Sequence, residues 1–403
     1  MRPLYRRSVY SEIHTLSLLG FLFGVVYGMF SLALPILSDG IFSTIGWIGI
    51  VFAIPELFGV FADVPIGAFA SHFGRRRAIL LSGTLLAASA ALFMIFRSPL
   101  IFLVLLIFYE LATQLFIIPA DAEAMALTPN THAGRINGMI EGLHNFGYSL
   151  GPIAVGVAMF FGMRAVFAVI FGISVLLVLT SVRFSSGLRP HESFRRSFLD
   201  VLKKDHVFQK SFHEFLLLRF KGVFLVFAFF IFAFHWGFIA IAEPLYTKAL
   251  GLSELAIGLV YAGFTLPILF IGIMAGKFID RNGGGRTVLA TGIFLMAIST
   301  IGFGVFENVG ALFILSIIAG IGDALLLPAV MAGLDTLSSY HAKEHISGIK
   351  TFAESAGYFL GPIAVGVLGT FFGLRNSFLA IGILLMIFSV MAIAMPYESR
   401  QRS

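Results

Sequence analysis

Apolar runs of about twenty residues recur along the whole chain, and this feature restricts its fold more strongly than any other. A run of that length crosses a bilayer as an α-helix, in which every backbone polar group is hydrogen-bonded internally. The runs do not alternate apolar and polar residues, as the strands of a membrane barrel do. Only 12% of the residues are charged, about half the share of a soluble domain. We therefore predict an all-α polytopic membrane protein.

Twelve membrane spans are predicted, and an even number places both termini on one side of the membrane. Most Lys and Arg residues fall on that side, whereas the other side holds only Arg97, Arg164, Lys248 and Arg375. The positive-inside rule makes the basic side cytoplasmic, and we expect a plasma membrane. The net charge of +6 follows this sidedness and is not a nucleic-acid footprint. The spans cover residues 14–38, 44–71, 78–97, 99–126, 134–161, 164–184, 222–246, 252–279, 287–306, 309–335, 345–372 and 374–396.

A short basic hairpin between two spans, Gly67–Arg77, recurs in the second half of the chain as Gly276–Arg286. In this repeat Gly74 matches Gly283, and further matches relate spans 1, 2, 4 and 5 to spans 7, 8, 10 and 11. We predict two six-helix bundles related by a pseudo-two-fold axis along the membrane normal. Residues 1–184 form the first bundle, 185–221 a cytoplasmic linker and 222–403 the second. Such parallel repeats are typical of transporters that rock two bundles around a central site.

The hairpins resemble the signature of the major facilitator superfamily, Gly-x-x-x-Asp-Arg-x-Gly-Arg-Arg, and the resemblance covers nearly the whole chain. The first copy departs from it, with Ser71 and His72 in place of Asp and Arg, whereas the second copy keeps both. The resemblance implies that these hairpins latch the cytoplasmic side during transport, with Asp280 bearing more of that role. The gating residues expected from both copies are Gly67, Gly74, Arg75, Arg77, Gly276, Asp280, Arg281, Gly283 and Arg286.

A glycine and proline pattern in span 5 is repeated in span 11. It is similar to the antiporter signature of proton-driven drug exporters, although Val155 replaces one glycine. In physical terms it predicts close helix packing through small residues and a proline bend. An Arg that many proton-coupled members carry in span 4 is Ile107 here, so coupling through that Arg is not available. The pattern comprises Gly138, Gly147, Gly151 and Pro152, then Gly348, Gly357, Gly361 and Pro362.

Ionisable side chains inside membrane spans are energetically costly and therefore serve as functional hypotheses. Glu110 and Asp323 are expected to titrate protons or to bind cations, because a dry cavity favours the protonated form of a carboxylate. The alternative is a purely structural hydrogen bond between helices. Gln114 matches Asp323 in the repeat, and Trp236 is a candidate for an aromatic cavity lining. The full candidate set is Glu56, Glu110, Gln114, His235, Trp236 and Asp323.

Other acidic residues are predicted to act in gates. Asp63 lies about one turn before the first hairpin, so we expect it to contact a nearby Arg. Asp121, Glu123 and Glu141 are expected to form salt bridges with Arg135 or with span 11. Glu243 lies near the outer end of span 7 and is assigned to an outer gate.

The best-supported function is proton-coupled efflux of lipophilic or drug-like small molecules by alternating access. A nutrient symporter for sugars or organic acids and a lipid or glycolipid flippase are alternatives of the same fold. A receptor or scaffold is disfavoured by the short loops. An enzyme is disfavoured because no nucleophile–base arrangement, phosphate loop or metal-ligand spacing is present. We expect a monomer that needs no cofactor or metal and binds protons, a small substrate and lipid.

Overall fold

The part of the chain that the structure describes is helical almost throughout. The computed structural model describes residues 2–127, 133–184, 220–282, 284–337 and 343–394. Nearly all of the predicted linker, 185–221, therefore lies outside the described residues. The helices are α1 (Arg2–Asp39), α2 (Ile45–Phe73), α3 (Arg75–Ile95), α4 (Pro99–Leu127), α5 (Ala133–Met159), α6 (Met163–Arg183), α7 (Phe220–Ala249), α8 (Glu254–Thr265), α9 (Ile268–Asn282), α10 (Gly285–Val305), α11 (Val309–Leu337) and α12 (Lys343–Ala394).

Two helix boundaries differ from the predicted spans. Span 8 is divided into α8 and α9, because Pro267 has no backbone N–H to continue the helical ladder. Spans 11 and 12 form the single helix α12, whose backbone leaves helical geometry at Gly373, with φ 77° and ψ 159°. A positive φ of this size strains residues that carry a Cβ, so glycine is well suited to this sharp change of direction.

Ten helical stretches of the described residues are long and apolar enough to cross a membrane. The last stretch, Phe352–Ala394, holds 43 residues, about twice the length that one span needs. Gly373 divides it into spans 11 and 12. α5 does not belong to the ten, since its first half carries many polar residues. With that division and with α5, the twelve predicted spans are accounted for, and the all-α membrane fold is confirmed.

The chain divides into two units. Unit 1 comprises Met1–Ile41 and Ile54–Leu202, and unit 2 comprises Phe42–Ala53 and Lys203–Ser403. The first turns of α2 therefore belong to unit 2, where an added Cβ at Gly49 would lie 2.4 Å from the Pro362 carbonyl oxygen. The predicted domain limits placed this segment in the first bundle and stay a prediction.

Both units use the same packing scheme. In unit 1 the main helix pairs are α1 with α5, α3 with α6 and α3 with α4. In unit 2 the corresponding pairs are α7 with α12, α10 with α12 and α10 with α11. Large aromatic side chains fill both interiors, including Phe30, Phe93 and Phe167 in unit 1 and Phe238, Phe303 and Phe378 in unit 2. The duplication in the sequence is thus repeated in the packing.

Candidate functional site

A buried ionisable pair joins α7 to α11 inside unit 2. Nδ1 of His235 lies 3.2 Å from both carboxylate oxygens of Asp323. Neither side chain has any solvent exposure. The helix α10 contributes the third member, because Nε2 of His235 lies 3.1 Å from the hydroxyl oxygen of Thr300. Three helices of one unit therefore converge on a single imidazole.

The hydrogen bonds around Thr300 fix the number of protons in this network. The Thr300 hydroxyl donates its only proton to the carbonyl of Met296, at 2.7 Å. It can therefore only accept from His235, whose Nε2 must carry a hydrogen. The contact between Nδ1 and Asp323 then needs a second proton, because otherwise two lone pairs would face each other. With that proton His235 and Asp323 are together electrically neutral, whether it rests on the ring or on the carboxyl group.

A second polar contact links the same two helices farther along. Glu243 on α7 is 2% exposed, and its carboxylate accepts a hydrogen bond of 3.0 Å from the hydroxyl of Ser316 on α11. Ser316 precedes Asp323 by two helical turns, so both contacts lie on one face of α11. The assignment of Glu243 to an outer gate stays a prediction. Its observed role is to bind α7 to α11.

Unit 1 brings three carboxylates together on α2 and α4. Oε1 of Glu110 accepts a hydrogen bond of 2.9 Å from the Gln114 amide one turn later. Glu56 is close enough to Glu110 and to Asp63 for the three charges to interact. Gly59 makes this approach possible, because a Cβ there would lie 3.1 Å from Oε1 of Glu110. Electrostatic repulsion in this cluster falls when a proton or a cation joins it.

The first hairpin is held by an ion pair that was not predicted. Nη1 of Arg75 donates to the carboxylate of Glu123 and to the carbonyl of Ala122, both at 2.9 Å. Asp63 was predicted to contact a nearby Arg, and its buried Oδ1 has no hydrogen bond in the described structure. The expectation that Glu123 also pairs with Arg135 or with span 11 stays a prediction, because the side chain of Arg135 lies outside the described part of the chain. Arg75 begins α3 beside the end of α4, and this position determines the pairing.

Turn geometry around the two hairpins depends on glycine. Gly74 has φ 95° directly before α3, and Gly284 has φ 74° directly before α10. The second turn therefore uses Gly284, one residue after the predicted Gly283, which lies outside the described residues. Arg76 donates to the carbonyl of Val182.

The remaining predicted gating residues form few described contacts. A Cβ at Gly67 would only touch Ile118, and one at Gly276 would meet nothing. Arg281 and Arg286 are exposed. The side chain of Asp280 lies outside the described part of the chain, and Arg77 contributes a backbone hydrogen bond to Gly74. Their gating role stays a prediction.

The glycine and proline pattern packs helices tightly within each unit. In unit 1 a Cβ at Gly147 would lie 2.3 Å from the Phe21 carbonyl oxygen, and one at Gly151 would lie 2.5 Å from the Met29 nitrogen. In unit 2 the corresponding distance for Gly361 is 2.6 Å, to the Phe234 carbonyl oxygen. The set Gly357, Gly361 and Pro362 thus packs α12 against α7 as Gly147, Gly151 and Pro152 pack α5 against α1. The packing of Gly138 and Gly348 lies outside the part of the structure whose side chains are described.

Aromatic side chains lie near both candidate clusters. Trp236, half-buried beside His235, packs edge-on against Phe264 with ring centroids 4.9 Å apart. Tyr27 and Tyr148 lie 5.2 Å apart in unit 1. That such rings line a substrate cavity stays a prediction.

Two residues of these networks were not predicted from the sequence: Thr300 and Ser316. They carry no charge, and hydroxyl residues in apolar helices often bond their own backbone, so only their position opposite an ionisable group marks them. No group of three or more His, Cys, Asp or Glu able to hold a metal ion occurs among the described residues.

These features define a class: a duplicated helical membrane protein whose units each enclose ionisable groups. The family model for the Major Facilitator Superfamily matches residues 16–237 and 225–403. The chain belongs to the Major Facilitator Superfamily, and the predicted resemblance is confirmed.

Curated relatives match less than half of the chain. Multidrug resistance protein 2 of Bacillus subtilis is 26% identical over 163 residues, which cover 40% of each chain. Quinolone resistance protein NorA of Staphylococcus aureus is 28% identical over 166 residues, or 40% of this chain and 42% of NorA. The matched segment thus spans about two fifths of the length of these relatives.

Solved structures match over almost the full length. The nucleoside transporter NupG aligns with a TM-score of 0.73 at 13% identity, over 95% of this chain and 98% of its own. A bacterial homologue of the human lysosomal transporter Spinster, inward-facing and occupied, has a TM-score of 0.77 at 14% identity, over 98% and 97%. Identities this low establish the fold alone.

Proposed function

We propose that this chain is a secondary active transporter that exports lipophilic, including cationic, small molecules across the plasma membrane in exchange for protons. The two units rock around a central site, and both termini are cytoplasmic. Family membership supports transport as the activity, and the names of the two resistance proteins support the substrate class. Proton exchange rests on the ionisable groups of the chain itself.

The observation that carries the proposal is the network of His235, Asp323 and Thr300. It holds one shared proton in a volume without solvent exposure. Loss of that proton would leave an uncompensated negative charge in the interior. Burying an unpaired ion costs on the order of several kcal/mol. A cation that approaches the pair offsets this cost. A proton and a lipophilic cation are therefore alternative partners of the same negative charge.

The carboxylates of unit 1 provide a second place for this competition. Glu56, Asp63 and Glu110 repel one another, and the amide of Gln114 donates a hydrogen bond without adding charge. A proton or an organic cation relieves the repulsion. Glu110 is the member with an ordered partner, so we assign it the proton-exchanging role in unit 1.

Two other substrate classes remain alternatives. A nutrient symporter is favoured by the nucleoside transporter among the solved neighbours, but few uncharged hydrogen-bonding groups lie in the spans. Gln114, one of them, already donates to Glu110. A lipid or glycolipid flippase is consistent with the abundant aromatic side chains, but it does not explain a neutral ionisable pair with a fixed proton count.

The proposal is tested in proteoliposomes with an acidic lumen and a membrane potential clamped at zero by potassium and valinomycin. An exchanger should accumulate external tetraphenylphosphonium in the lumen as protons leave. Asp323→Asn, which keeps the side-chain shape but cannot ionise, should reduce accumulation to that of protein-free vesicles. Glu110→Gln should reduce it at least several-fold.

Glu307→Gln provides the matched control. This carboxylate is 54% exposed and pairs with Arg375 at 3.1 Å, so its loss removes a charge without touching the interior. It should leave accumulation unchanged. Absence of gradient-driven movement in folded wild-type protein would contradict the proposal, and accumulation of a nucleoside or a labelled lipid instead would favour an alternative.

A further inference from the structure

The two units carry the same short turn at the end away from the hairpins. The segment Phe160–Arg164 connects α5 to the start of α6 and has the sequence Phe-Phe-Gly-Met-Arg. Phe371–Arg375 repeats it within α12 as Phe-Phe-Gly-Leu-Arg. Gly162 has φ 89° and ψ 164°, and Gly373 has φ 77° and ψ 159°. Each unit therefore presents an arginine two residues after a glycine of the same backbone geometry.

A buried aromatic stack next to each turn shows that the two places correspond in structure. In unit 1 the rings of Phe93 on α3 and Phe167 on α6 have centroids 5.4 Å apart and planes at 26°. In unit 2 the rings of Phe303 on α10 and Phe378 on α12 have centroids 5.1 Å apart and planes at 21°. All four side chains are fully buried. In both units the arginine of the turn precedes the second ring by three residues, so it occupies the same place.

The charge opposite this arginine is inverted between the units. At the fourth residue after the first ring, unit 2 carries Glu307, whose carboxylate lies 3.1 Å from Arg375. At the same position unit 1 carries Arg97, which lies close enough to Arg164 for the two positive charges to repel each other. Within the described ranges neither Arg97 nor Arg164 forms an ion pair or a side-chain hydrogen bond. Unit 1 thus has two cations where unit 2 has an ion pair.

Exposed apolar side chains flank the two arginines. The helix α3 has 21 residues and is about 30 Å long, so Arg97 lies across the hydrocarbon from the hairpin. Arg97 and Arg164 are exposed, and the neighbouring Ile95, Leu100 and Phe161 are 70%, 71% and 82% exposed. At a membrane boundary such apolar side chains contact acyl chains, while arginine keeps its guanidinium group among the headgroups.

We propose that Arg97 and Arg164 bind the phosphate group of an anionic phospholipid, whose acyl chains pack against Ile95, Leu100 and Phe161. The lipid supplies the negative charge that a carboxylate supplies in unit 2. Guanidinium groups bind phosphate through paired, charge-assisted hydrogen bonds, so two of them suit this headgroup. The site belongs to unit 1 and does not depend on the substrate that the chain transports.

Two other occupants fit the patch less well. A soluble phosphate ion would neutralise the arginines but would make no contact with the apolar side chains. An acidic protein would find little surface to bind, because only residues 96–98 separate α3 from α4. A zwitterionic lipid brings its own positive charge and therefore relieves the repulsion less than an anionic one.

Equivalent positions of the two units provide a matched pair of probes. The chain contains no cysteine, so a single introduced thiol can be labelled without background. Ile95→Cys places a thiol two residues before Arg97, and Val305→Cys places one at the equivalent exposed position before Glu307. Each full-length variant is labelled with bimane and reconstituted in phosphatidylcholine vesicles that contain a minor share of phosphatidylglycerol with brominated acyl chains. Bromine quenches the fluorophore on contact.

Phosphatidylglycerol should collect at the unit 1 position only. Quenching should be at least about two-fold stronger at Ile95→Cys than at Val305→Cys, because each basic side chain at the surface attracts anionic lipid. The same share of brominated phosphatidylcholine provides the baseline for each position. Equal quenching by phosphatidylglycerol at both positions, after correction by this baseline, would overturn the site.

Reversing the charges should move the site from one unit to the other. Arg97→Glu, added to Ile95→Cys, gives Arg164 a carboxylate and should reduce quenching to the level of Val305→Cys. Glu307→Arg, added to Val305→Cys, should raise quenching there. Both changes are at exposed positions, and thermal unfolding shows whether the variants are folded. Quenching that Arg97→Glu leaves unchanged would contradict the proposal.

The source of the phosphate is tested by competition. Excess inorganic phosphate should not reduce the quenching of Ile95→Cys, because the bound lipid is also held by its acyl chains. Loss of quenching in inorganic phosphate, at an ionic strength matched with chloride, would show a site for small anions and reject the lipid.

Discussion

His235 and Asp323 face each other at 3.2 Å between α7 and α11, and neither side chain is exposed to solvent. Both occur in spans whose other residues are almost entirely apolar. The pair is neutral as a unit and becomes charged when one proton leaves. A buried ionisable pair of this kind is a candidate for a functional role in transport and also stabilises the packing of the two helices.

Replacing one partner tests how much the pair stabilises unit 2. Asp323→Ala leaves the imidazole without its carboxylate, and removing one member of a buried pair typically costs about 3–5 kcal/mol. Asp323→Asn should cost less, since the amide can donate to Nδ1 of a neutral His235. We expect the melting temperature in detergent to fall in the order wild type, Asp323→Asn, Asp323→Ala. Equal melting temperatures for all three would contradict the observed contact.

Thr300 should stabilise the protein because its hydroxyl oxygen accepts a hydrogen bond from His235, and not because of its volume. Thr300→Val leaves Nε2 of His235 without an acceptor, which should destabilise the protein by about 1–3 kcal/mol. Thr300→Ser should restore the contact. Thr84→Val is the matched control, because the exposed Thr84 hydroxyl bonds only its own backbone, at Leu80, 2.8 Å away. Thermal unfolding that treats Thr300→Val and Thr84→Val alike would contradict the proton assignment.

Because α1 and α5 pack closely, one methyl group added to a glycine at their contact should destabilise the protein. In Gly151→Ala the new Cβ would lie 2.5 Å from the Met29 nitrogen, so the helices must separate. Overpacking of this kind costs about 1–3 kcal/mol. At Gly172, in α6, a Cβ would meet nothing within 4 Å, so Gly172→Ala should be neutral or slightly stabilising. The melting temperatures of the two variants provide the comparison.

The hairpin ion pair should contribute more than an exposed one. The Glu123 side chain is fully buried, so Arg75→Ala removes a cation from a carboxylate that solvent does not reach, whereas Arg75→Lys retains a positive charge nearby. We expect a loss of about 3 kcal/mol for Arg75→Ala. Glu307→Ala breaks its pair with Arg375, in which both side chains are more than half exposed, and it should cost less than about 1 kcal/mol. If chemical denaturation showed equal losses, Glu123 would not depend on Arg75.

Much of the fold follows from the sequence because hydrocarbon thickness and backbone hydrogen bonding leave a membrane chain few choices. Hydropathy therefore gives the spans, and the matched hairpins indicate the duplication. Hydropathy does not show that Pro267 divides span 8, or that α12 continues to Gly373 and changes direction there. Both depend on local backbone geometry.

Only part of the candidate functional site could be predicted from the sequence. Asp323 and His235 are conspicuous as ionisable residues in apolar spans, but their pairing depends on the rotation of α7 and α11. Thr300 has no distinguishing pattern at all. The salt bridges predicted for Asp121 and Glu141, with Arg135 or with span 11, stay a prediction, because the side chain of Arg135 lies outside the described part of the chain.

The central claim is that a lipophilic cation and a proton compete for buried negative charge, so cation binding must release protons. By linkage, the affinity for tetraphenylphosphonium then rises with pH. The most direct measurement is proton release on adding tetraphenylphosphonium to the detergent-solubilised protein in weak buffer, read with a pH-indicator dye. We predict saturable release that Glu307→Gln retains and that Asp323→Asn combined with Glu110→Gln abolishes. Saturable binding without proton release, or release that survives this double substitution, would contradict the account.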